Sequence, residues 1–328
     1  MMEAQQGSEL CFPQLLNTSC KKPLRHQSGA VTFYFLTVIS VLTTTLNLLV
    51  IISISHFRQL QTTTNLALLS LAYSDFFVGL MVMPGEITLR ETCWFLGDVL
   101  CAVYYLLPFT IISASAANMV LISVDRYLAI CYPLHYSTKV TVKRVQFYVC
   151  MCWLYACVVT FLLLHDNLKQ PGRYNSCYGE CVVNISGDMD LAFNFVIPIS
   201  IIMVLYLKVF VVAASQARAM RSQITAVSLQ RSQTVKRSEL KAARTLGVVV
   251  AVFLMCYCPY YCVFIISGKI LIGSEAETLM AFLMYSNSCF NPLIYAFLYP
   301  WFRKAVKLIV TFKVAQPGSC DTNIVGKQ

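Results

Sequence analysis

Five polar side chains lie in stretches of the sequence that are otherwise strongly apolar. Among them Asp75 carries a charge, and an ionised carboxylate inside a bilayer needs partners. Hydroxyl and amide groups from neighbouring helices could complete an oxygen cage for a small cation such as sodium. The alternative is a hydrogen-bond network that only holds the helices together. The five residues are Asn47, Asp75, Ser115, Asn287 and Asn291.

A second polar group, Asp125-Arg126-Tyr127, follows a long apolar stretch. Arg126 comes 25 residues after Cys101, which is about 37 Å of helix and enough to join the two surfaces of a membrane. Asp125 is the local neighbour of the guanidinium, and Glu239 is the natural second carboxylate for a bidentate contact. Such a contact would latch two helices together. A solvated charge at the membrane interface is the alternative.

Membrane helices are needed to position these residues. The chain has 328 residues, of which 58% are hydrophobic and 12% are charged, more apolar surface than one water-soluble core can bury. Stretches of about 20 apolar residues predict an all-α bundle of seven spans. The spans are expected at 31–55, 64–89, 99–131, 145–166, 189–213, 242–267 and 277–299. They divide the chain into an N-terminal segment, a seven-helix transmembrane domain and a tail with an amphipathic helix, at 1–30, 31–300 and 301–328.

The orientation of the bundle follows from its basic residues. Lys and Arg are concentrated in the loops after spans one, three and five and in the tail, which places these parts in the cytoplasm and the N-terminus outside. The net charge of +10 therefore does not indicate nucleic-acid binding. Sequons at Asn17 and Asn184 lie on the outer side and predict glycosylation. The odd span count, with no inverted repeat and no paired catalytic residues, argues against a transporter or an enzyme.

Further residues give the chain a resemblance to a known family. The pattern resembles the rhodopsin-like G-protein-coupled receptors over essentially the whole chain. It consists of Asn47, Leu71-Ala72-Tyr73-Ser74-Asp75, Cys101, Asp125-Arg126-Tyr127, Trp153, Pro198, Pro259 and Asn291-Pro292-Leu293-Ile294-Tyr295. The resemblance implies an activation switch formed by Asp125, Arg126, Tyr127, Glu239, Pro259 and Tyr295.

The seventh span carries a narrower resemblance. The run from Asn287 to Phe302 is similar to the fingerprint of trace-amine-associated receptors. That resemblance implies a multi-pass receptor for small amines in the plasma membrane, expressed in olfactory sensory neurons and coupled to a stimulatory or olfactory G protein. It also implies the disulfides Cys101–Cys181 and Cys20–Cys177, with Cys11 as the competitor of Cys20.

The sequence departs from the family at its usual amine anchor. Most such receptors hold the ligand ammonium with an Asp on span three, seven residues after the outer cysteine. Here that residue is Pro108, which has neither charge nor backbone donor. Asp190 lies about 12 Å outward of Pro198 on span five, and Asn194 follows it at i+4 on the same helix face. This arrangement resembles the fish trace-amine-associated receptors whose amine anchor lies on the fifth helix.

Aromatic residues are expected to complete the ligand pocket, because a desolvated ammonium is stabilised by aromatic faces as well as by a carboxylate. The predicted pocket contains Tyr105, Phe109, Tyr257, Tyr260, Tyr261 and Tyr285 with Asp190 and Asn194. Glu86 could hold a second ammonium of a diamine, or it is a charge at the edge of a loop. A receptor for a ligand that is not an amine is the alternative function.

The end of the chain predicts one more helix. Residues 301–309 combine apolar and basic side chains in the manner of an amphipathic helix at the membrane surface.

Tyr257 stands two residues before Pro259, where many relatives carry Trp, and we expect this aromatic side chain to repack above the proline kink. Cys320 is a candidate for acylation, with an unmodified cysteine as the alternative. No cofactor is expected apart from sodium.

Overall fold

Seven long helices form the main body of the computed structural model, which describes residues 9–22, 27–223, 230–267 and 275–324. We number them α1 to α7. Among the described residues, six are long and apolar enough to cross a membrane by length and composition. The remaining one, α7, carries Asn287 and Asn291 in its interior. The predicted seven-helix architecture is confirmed.

Each helix overlaps its predicted span, and α5 and α6 extend further than predicted, to Gln223 and from Gln230. Two of them are interrupted by a π-helical turn: α2 at Val78–Val82 and α5 at Leu191–Val196. The ordered set is α1 Gln27–His56; α2 Thr63–Phe77 continuing through the π turn into Met83–Glu91; α3 Asp98–Cys131; α4 Val142–Lys169; α5 Gly187–Asp190 continuing through its π turn into Ile197–Gln223; α6 Gln230–Ser267; and α7 Glu275–Leu298. A short loop helix, Pro133–Lys139, follows α3, and α8 covers Pro300–Val310.

The helix α3 runs through the middle of the bundle. It contacts α2, α4, α5 and α6, and its buried residues include Ser115, Asn118 and Asp125. Many large apolar side chains on the outer faces of the other helices are exposed, among them Phe35, Phe161 and Phe210. This inside-out distribution fits a lipid environment, where apolar side chains do not need to be buried in protein.

Five prolines lie inside the membrane helices as numbered here: Pro84 in α2, Pro108 in α3, Pro198 in α5, Pro259 in α6 and Pro292 in α7. A proline inside a helix lacks the backbone N–H that would bond the preceding turn and is a common cause of helix kinks. Pro259 belongs to the predicted activation switch, and Pro292 belongs to the motif from Asn291 to Tyr295. Pro108 lies at the position where most receptors of the resembled family carry an acidic residue.

One end of the bundle, here called the disulfide end, is covered by loops and by residues 9–22. The structure contains the bridges Cys20–Cys177 and Cys101–Cys181. Cys11, the competing partner of the sequence analysis, is bonded to Cys93 instead. The segment 9–22 is therefore attached to the loop before α3 and to the loop before α5.

At the opposite end of the bundle, α8 packs against α1 and α7, and the segment after it packs against the connection between α1 and α2. Ala305 of α8 packs with Phe57 and Leu60 from the connection between α1 and α2, and Ile324 is buried in the same cluster at 1% exposure. The predicted amphipathic helix is present, and its apolar side packs on protein. Cys320 is partly buried beside Asp321; its acylation stays a prediction.

Candidate functional site

A cavity of about 520 Å³ lies at the disulfide end, between the helices and the loops. This volume is in the range of pockets that bind small molecules. Six of the eight residues predicted for the pocket line it: Tyr105, Phe109, Asp190, Tyr260, Tyr261 and Tyr285. Asn194 and Tyr257 do not line it. Asn194 hydrogen-bonds Asp190 in the cavity wall, and Tyr257 hydrogen-bonds Ser115 below the cavity.

Asp190 is the acidic residue that α5 brings to the cavity wall. Its side chain is 5% exposed, whereas Asp188, two residues earlier, is exposed. The amide Nδ2 of Asn194 donates a hydrogen bond of 2.8 Å to Oδ1 of Asp190, and the Tyr261 hydroxyl bonds the same carboxylate. Because these are neutral donors, they orient the carboxylate without cancelling its charge.

Several aromatic rings share the cavity wall with this carboxylate. Phe195 and Tyr261 stack with ring centroids 4.4 Å apart, and Tyr260 meets Tyr261 edge to face at 5.1 Å. On the α3 side, Tyr105 and Phe109 are 6.3 Å apart. A charged carboxylate between apolar aromatic faces attracts a cation, since both the charge and the ring quadrupoles favour it.

Pro108 and Glu86 occupy two other parts of the wall. Pro108 is buried and lines the cavity from α3, so no carboxylate is present where the resemblance would place one. Glu86 of α2 is half-buried, lines the same cavity and interacts electrostatically with Tyr104 and Tyr285. The cavity therefore contains acidic groups on α2 and on α5.

Tyr257 connects the cavity region with the polar network below it. Its ring stacks on Phe253 with centroids 4.2 Å apart, and its hydroxyl is hydrogen-bonded to Ser115. Ser115 in turn donates to Asp75 at 3.3 Å. The predicted pocket role of Tyr257 is therefore indirect, because its side chain is buried between the cavity and the network.

The network around Asp75 joins four helices. The Ser288 hydroxyl donates to Oδ1 of Asp75 at 2.8 Å, and Nδ2 of Asn291 donates to Oδ2 at 2.8 Å. Asn47 joins through the backbone of α7, since its Nδ2 donates to the Ser288 carbonyl at 2.9 Å. Ser288 was missed by the sequence analysis. It follows Asn287 directly, and its position three residues before Asn291 on a helix was the available signal.

Several buried oxygens of this region have no hydrogen-bond partner within the described part of the chain. They include Oδ1 of Asn291, whose own Nδ2 bonds Asp75, and Oδ1 of Asn47 and of Asn287. Carboxylate, hydroxyl and amide oxygens are the ligands that hard cations prefer. The donor set around Asp75 is therefore chemically suited to a sodium ion.

The Asp125-Arg126 pair lies at the opposite end of α3. Nε of Arg126 donates to Oδ2 of Asp125 at 3.0 Å, and its Nη2 approaches the same oxygen at 2.5 Å. Arg126 also contacts the Thr64 hydroxyl, which donates to Asp125 at 3.0 Å. The guanidinium is thus held against α2 and its own helix. Glu239, the predicted second partner, has a side chain outside the described residues.

Tyr136 of the loop helix completes this cluster and was also missed. Its hydroxyl donates to Oδ1 of Asp125 at 2.6 Å. Burial raises the pKa of the Tyr136 hydroxyl, and so does the bond to the Asp125 carboxylate, which favours the neutral, proton-donating form. Tyr127, the third member of the motif, points elsewhere and makes a 3.5 Å contact to Tyr132.

The remaining predicted residues fall in separate places. Pro259 lies inside α6, and the Tyr295 side chain is buried in α7 with a hydroxyl that has no partner among the described residues. The side chain of Asn184 is exposed, as is that of Asn17, and both sequons lie at the disulfide end. The use of these sequons stays a prediction.

Comparisons with known proteins define the class. The family model "7 transmembrane receptor (rhodopsin family)" matches residues 46–295, so the protein is a receptor and not an enzyme.

Relatives of known name define the family more narrowly. The chain is 34% identical to "Trace amine-associated receptor 13c" of Danio rerio, with 97% of this chain and 96% of the relative covered. It is 35% identical to "Trace amine-associated receptor 1" of Homo sapiens, covering 93% and 95%. "Trace amine-associated receptor 7a" of Rattus norvegicus is 36% identical, covering 96% and 92%. The chain belongs to the trace amine-associated receptor family of rhodopsin-like, multi-pass membrane receptors.

Proposed function

We propose that this receptor detects small amines outside the cell and that the ligand ammonium pairs with Asp190. The single observation that carries the proposal is the placement of this carboxylate: it is buried, oriented by Asn194 and Tyr261, and still on the wall of the cavity. A buried acid of this kind gains most when a cation enters beside it. The anchor thus lies on the fifth helix, as in the fish receptors that the sequence resembles.

The aromatic wall supports the same ligand class. An ammonium that leaves water for this cavity meets the rings of Tyr260, Tyr261 and Tyr285, which line it. Cation–π attraction offsets part of the desolvation cost. The names of the relatives refer to trace amines, which belong to the ligand class that this cavity favours.

Ligand binding is proposed to act by stabilising one of two existing states. α6 would swing about Pro259, with Tyr257 and Tyr295 repacking, and Arg126 would leave its partners at the opposite end. The opened face would bind a stimulatory or olfactory G protein. We place the receptor in the plasma membrane of olfactory sensory neurons with its N-terminus outside.

Sodium is proposed as an allosteric ligand of the Asp75 network. A cation at this carboxylate would hold α2, α3 and α7 together through Ser115, Ser288 and Asn291. Such a cation would favour the resting state if the network must rearrange when α7 moves.

The test is a panel of primary, secondary and tertiary amines and diamines on cells that express the wild type, Asp190→Asn or Asp188→Asn, with cyclic AMP as the readout. Asp188→Asn is the matched control because its side chain is exposed only two residues away. We expect a loss of at least about thirtyfold in amine potency for Asp190→Asn alone, since a charge pair is lost from a buried site. Surface expression is measured in parallel.

Survival of the amine response in Asp190→Asn would contradict the proposal. Combined with its loss in Glu86→Gln, that survival would move the anchor to α2. Silence of the wild type toward every amine, with a response to another ligand class, would support the alternative that Pro108 marks: a receptor whose ligand is not an amine.

A further inference from the structure

The segment 9–22 forms a short hairpin over the disulfide end. Leu10 and Lys21 pair in antiparallel fashion, and the backbone N–H of Cys11 donates to the Cys20 carbonyl at 2.8 Å. The Ser19 hydroxyl accepts a bond of 2.8 Å from the Phe12 N–H inside the turn. These bonds give the hairpin a defined shape.

Two disulfides attach this hairpin to different loops. Cys20–Cys177 ties one strand to the loop between α4 and α5, where the Tyr178 N–H also donates to the Thr18 carbonyl at 2.8 Å. Cys11–Cys93 ties the other strand to the loop between α2 and α3. A segment with one covalent attachment can rotate about that attachment, whereas a segment attached at two points cannot. The hairpin is therefore fixed across the end of the bundle.

The same hairpin forms part of the cavity wall. Cys11, Cys20 and Lys21 line the cavity together with Asp190 and Ile112. A ligand at Asp190 would share one continuous space with the hairpin above it. The hairpin is accordingly a roof of the cavity, and its position limits how far a ligand can extend.

Contacts around Cys11 leave the roof little freedom. Gly179 adopts φ +103°, and a Cβ at this position would lie 2.8 Å from Cβ of Cys11 and 3.1 Å from its Sγ. Phe12 packs edge to face on Phe95 with centroids 5.4 Å apart. Only glycine at position 179 allows this close approach. The Cys11–Cys93 bridge and the packing of Phe12 on Phe95 hold the same turn of the hairpin.

We propose that the Cys11–Cys93 bridge fixes the hairpin as a roof and so determines the largest ligand that the cavity admits. Compact ligands fit beneath the roof, and a ligand with a bulky extension has to displace the turn at Cys11. Without this bridge the hairpin would stay attached through Cys20–Cys177 and could hinge open. The inference goes beyond the proposed function, because access to the cavity does not depend on what Asp190 recognises.

The test measures access with thiol reagents, independently of any amine. An Ile112→Cys receptor on intact cells provides a reporter thiol in the cavity. Two membrane-impermeant methanethiosulfonates of equal charge are compared: a small trimethylammonium-ethyl reagent and one carrying a bulky aromatic group. Modification rates are read from the mass of the peptide that contains residue 112, which excludes labelling at other cysteines.

Removal of the bridge in Cys11→Ser/Cys93→Ser should accelerate the bulky reagent about tenfold and the small reagent less than about twofold, because opening of the roof matters only for the larger probe. Both cysteines are replaced so that no unpaired thiol can exchange with the other disulfides. A rate for the bulky reagent that stays within about twofold of the bridged receptor would overturn the proposal.

A second variant provides an independent measurement in case the double variant does not reach the cell surface. Gly179→Ala should shift the Cys11 turn and accelerate the bulky reagent in the same direction. Gly97→Ala is its control, since Gly97 has φ +81° but no atom within 4 Å of an added Cβ. If Gly179→Ala leaves the bulky rate unchanged, or if Gly97→Ala raises it equally, the roof does not control access.

Discussion

Nδ2 of Asn194 and Oδ1 of Asp190 are 2.8 Å apart, one helical turn along α5, where the helix passes through a π-helical turn. The contact fixes the direction of a carboxylate that would otherwise choose among several rotamers. An amide donor also leaves the negative charge in place, so the pair is suited to receive a cation.

Asn194→Ala should therefore reduce amine potency by about tenfold, the equivalent of one hydrogen bond to a charged group. The measurement is the concentration of amine that gives half-maximal cyclic AMP at matched surface expression. In an Asp190→Asn background the same substitution should have little further effect, since the two residues act as a unit. Additive losses would mean that Asn194 contributes elsewhere.

The Asp75 network predicts a sodium effect that Ser288 shares. Exchange of sodium for potassium at constant ionic strength should raise agonist affinity in the wild type and leave it unchanged in Asp75→Asn. Ser288→Ala should reduce the sodium effect, because it removes a hydroxyl 2.8 Å from the carboxylate.

Ser286→Ala is the matched control for this experiment. The Ser286 hydroxyl donates to the Phe282 carbonyl of its own helix and not to Asp75. Radioligand or fluorescent-ligand competition in both salts provides the affinities. A sodium effect that persists undiminished in Asp75→Asn would mean that the residues only join the helices.

The Asp125 cluster predicts a change in basal signalling. Tyr136→Phe removes the 2.6 Å hydrogen bond to Asp125 and should raise ligand-independent cyclic AMP severalfold, up to about tenfold, if the cluster stabilises the resting state. Tyr132→Phe is the control, since its exposed hydroxyl contacts only Tyr127 at 3.5 Å among the contacts described. Equal basal activity in the two variants would contradict this role.

The pH dependence of this cluster follows from the same bond. The pKa of Tyr136 is raised above its ordinary value, first by burial and then by the neighbouring carboxylate. The hydroxyl therefore stays protonated at every pH below that raised pKa and keeps donating to Asp125. We expect basal signalling of the wild type to show no titration of Tyr136 through the neutral range.

Local features of the chain were predictable because they depend on neighbours in sequence. Apolar runs of about 20 residues require membrane helices whatever their partners are. The pairing of Asp190 with Asn194 follows from the i,i+4 geometry of one helix, and the separation of Asp188 from it follows from the same periodicity. The hydrogen bond between Asn194 and Asp190 forms although α5 contains a π-helical turn that the sequence did not indicate.

Contacts between distant segments were decided by the tertiary structure. Thr64 and Tyr136 meet at Asp125 from two different elements, and Tyr257 reaches Ser115 instead of the cavity wall. No local pattern encodes such meetings, since the crossing of helices sets which side chains face each other.

The cysteines show the difference most plainly. The number of cysteines does not determine how they pair, because the six cysteines of the three bridges have 15 possible pairings. Two of the bridges in the structure are those that the family resemblance implied, and the third, Cys11–Cys93, came from neither composition nor resemblance. Disulfides require Cα atoms within a few ångströms, and only the folded chain brings residue 11 to residue 93.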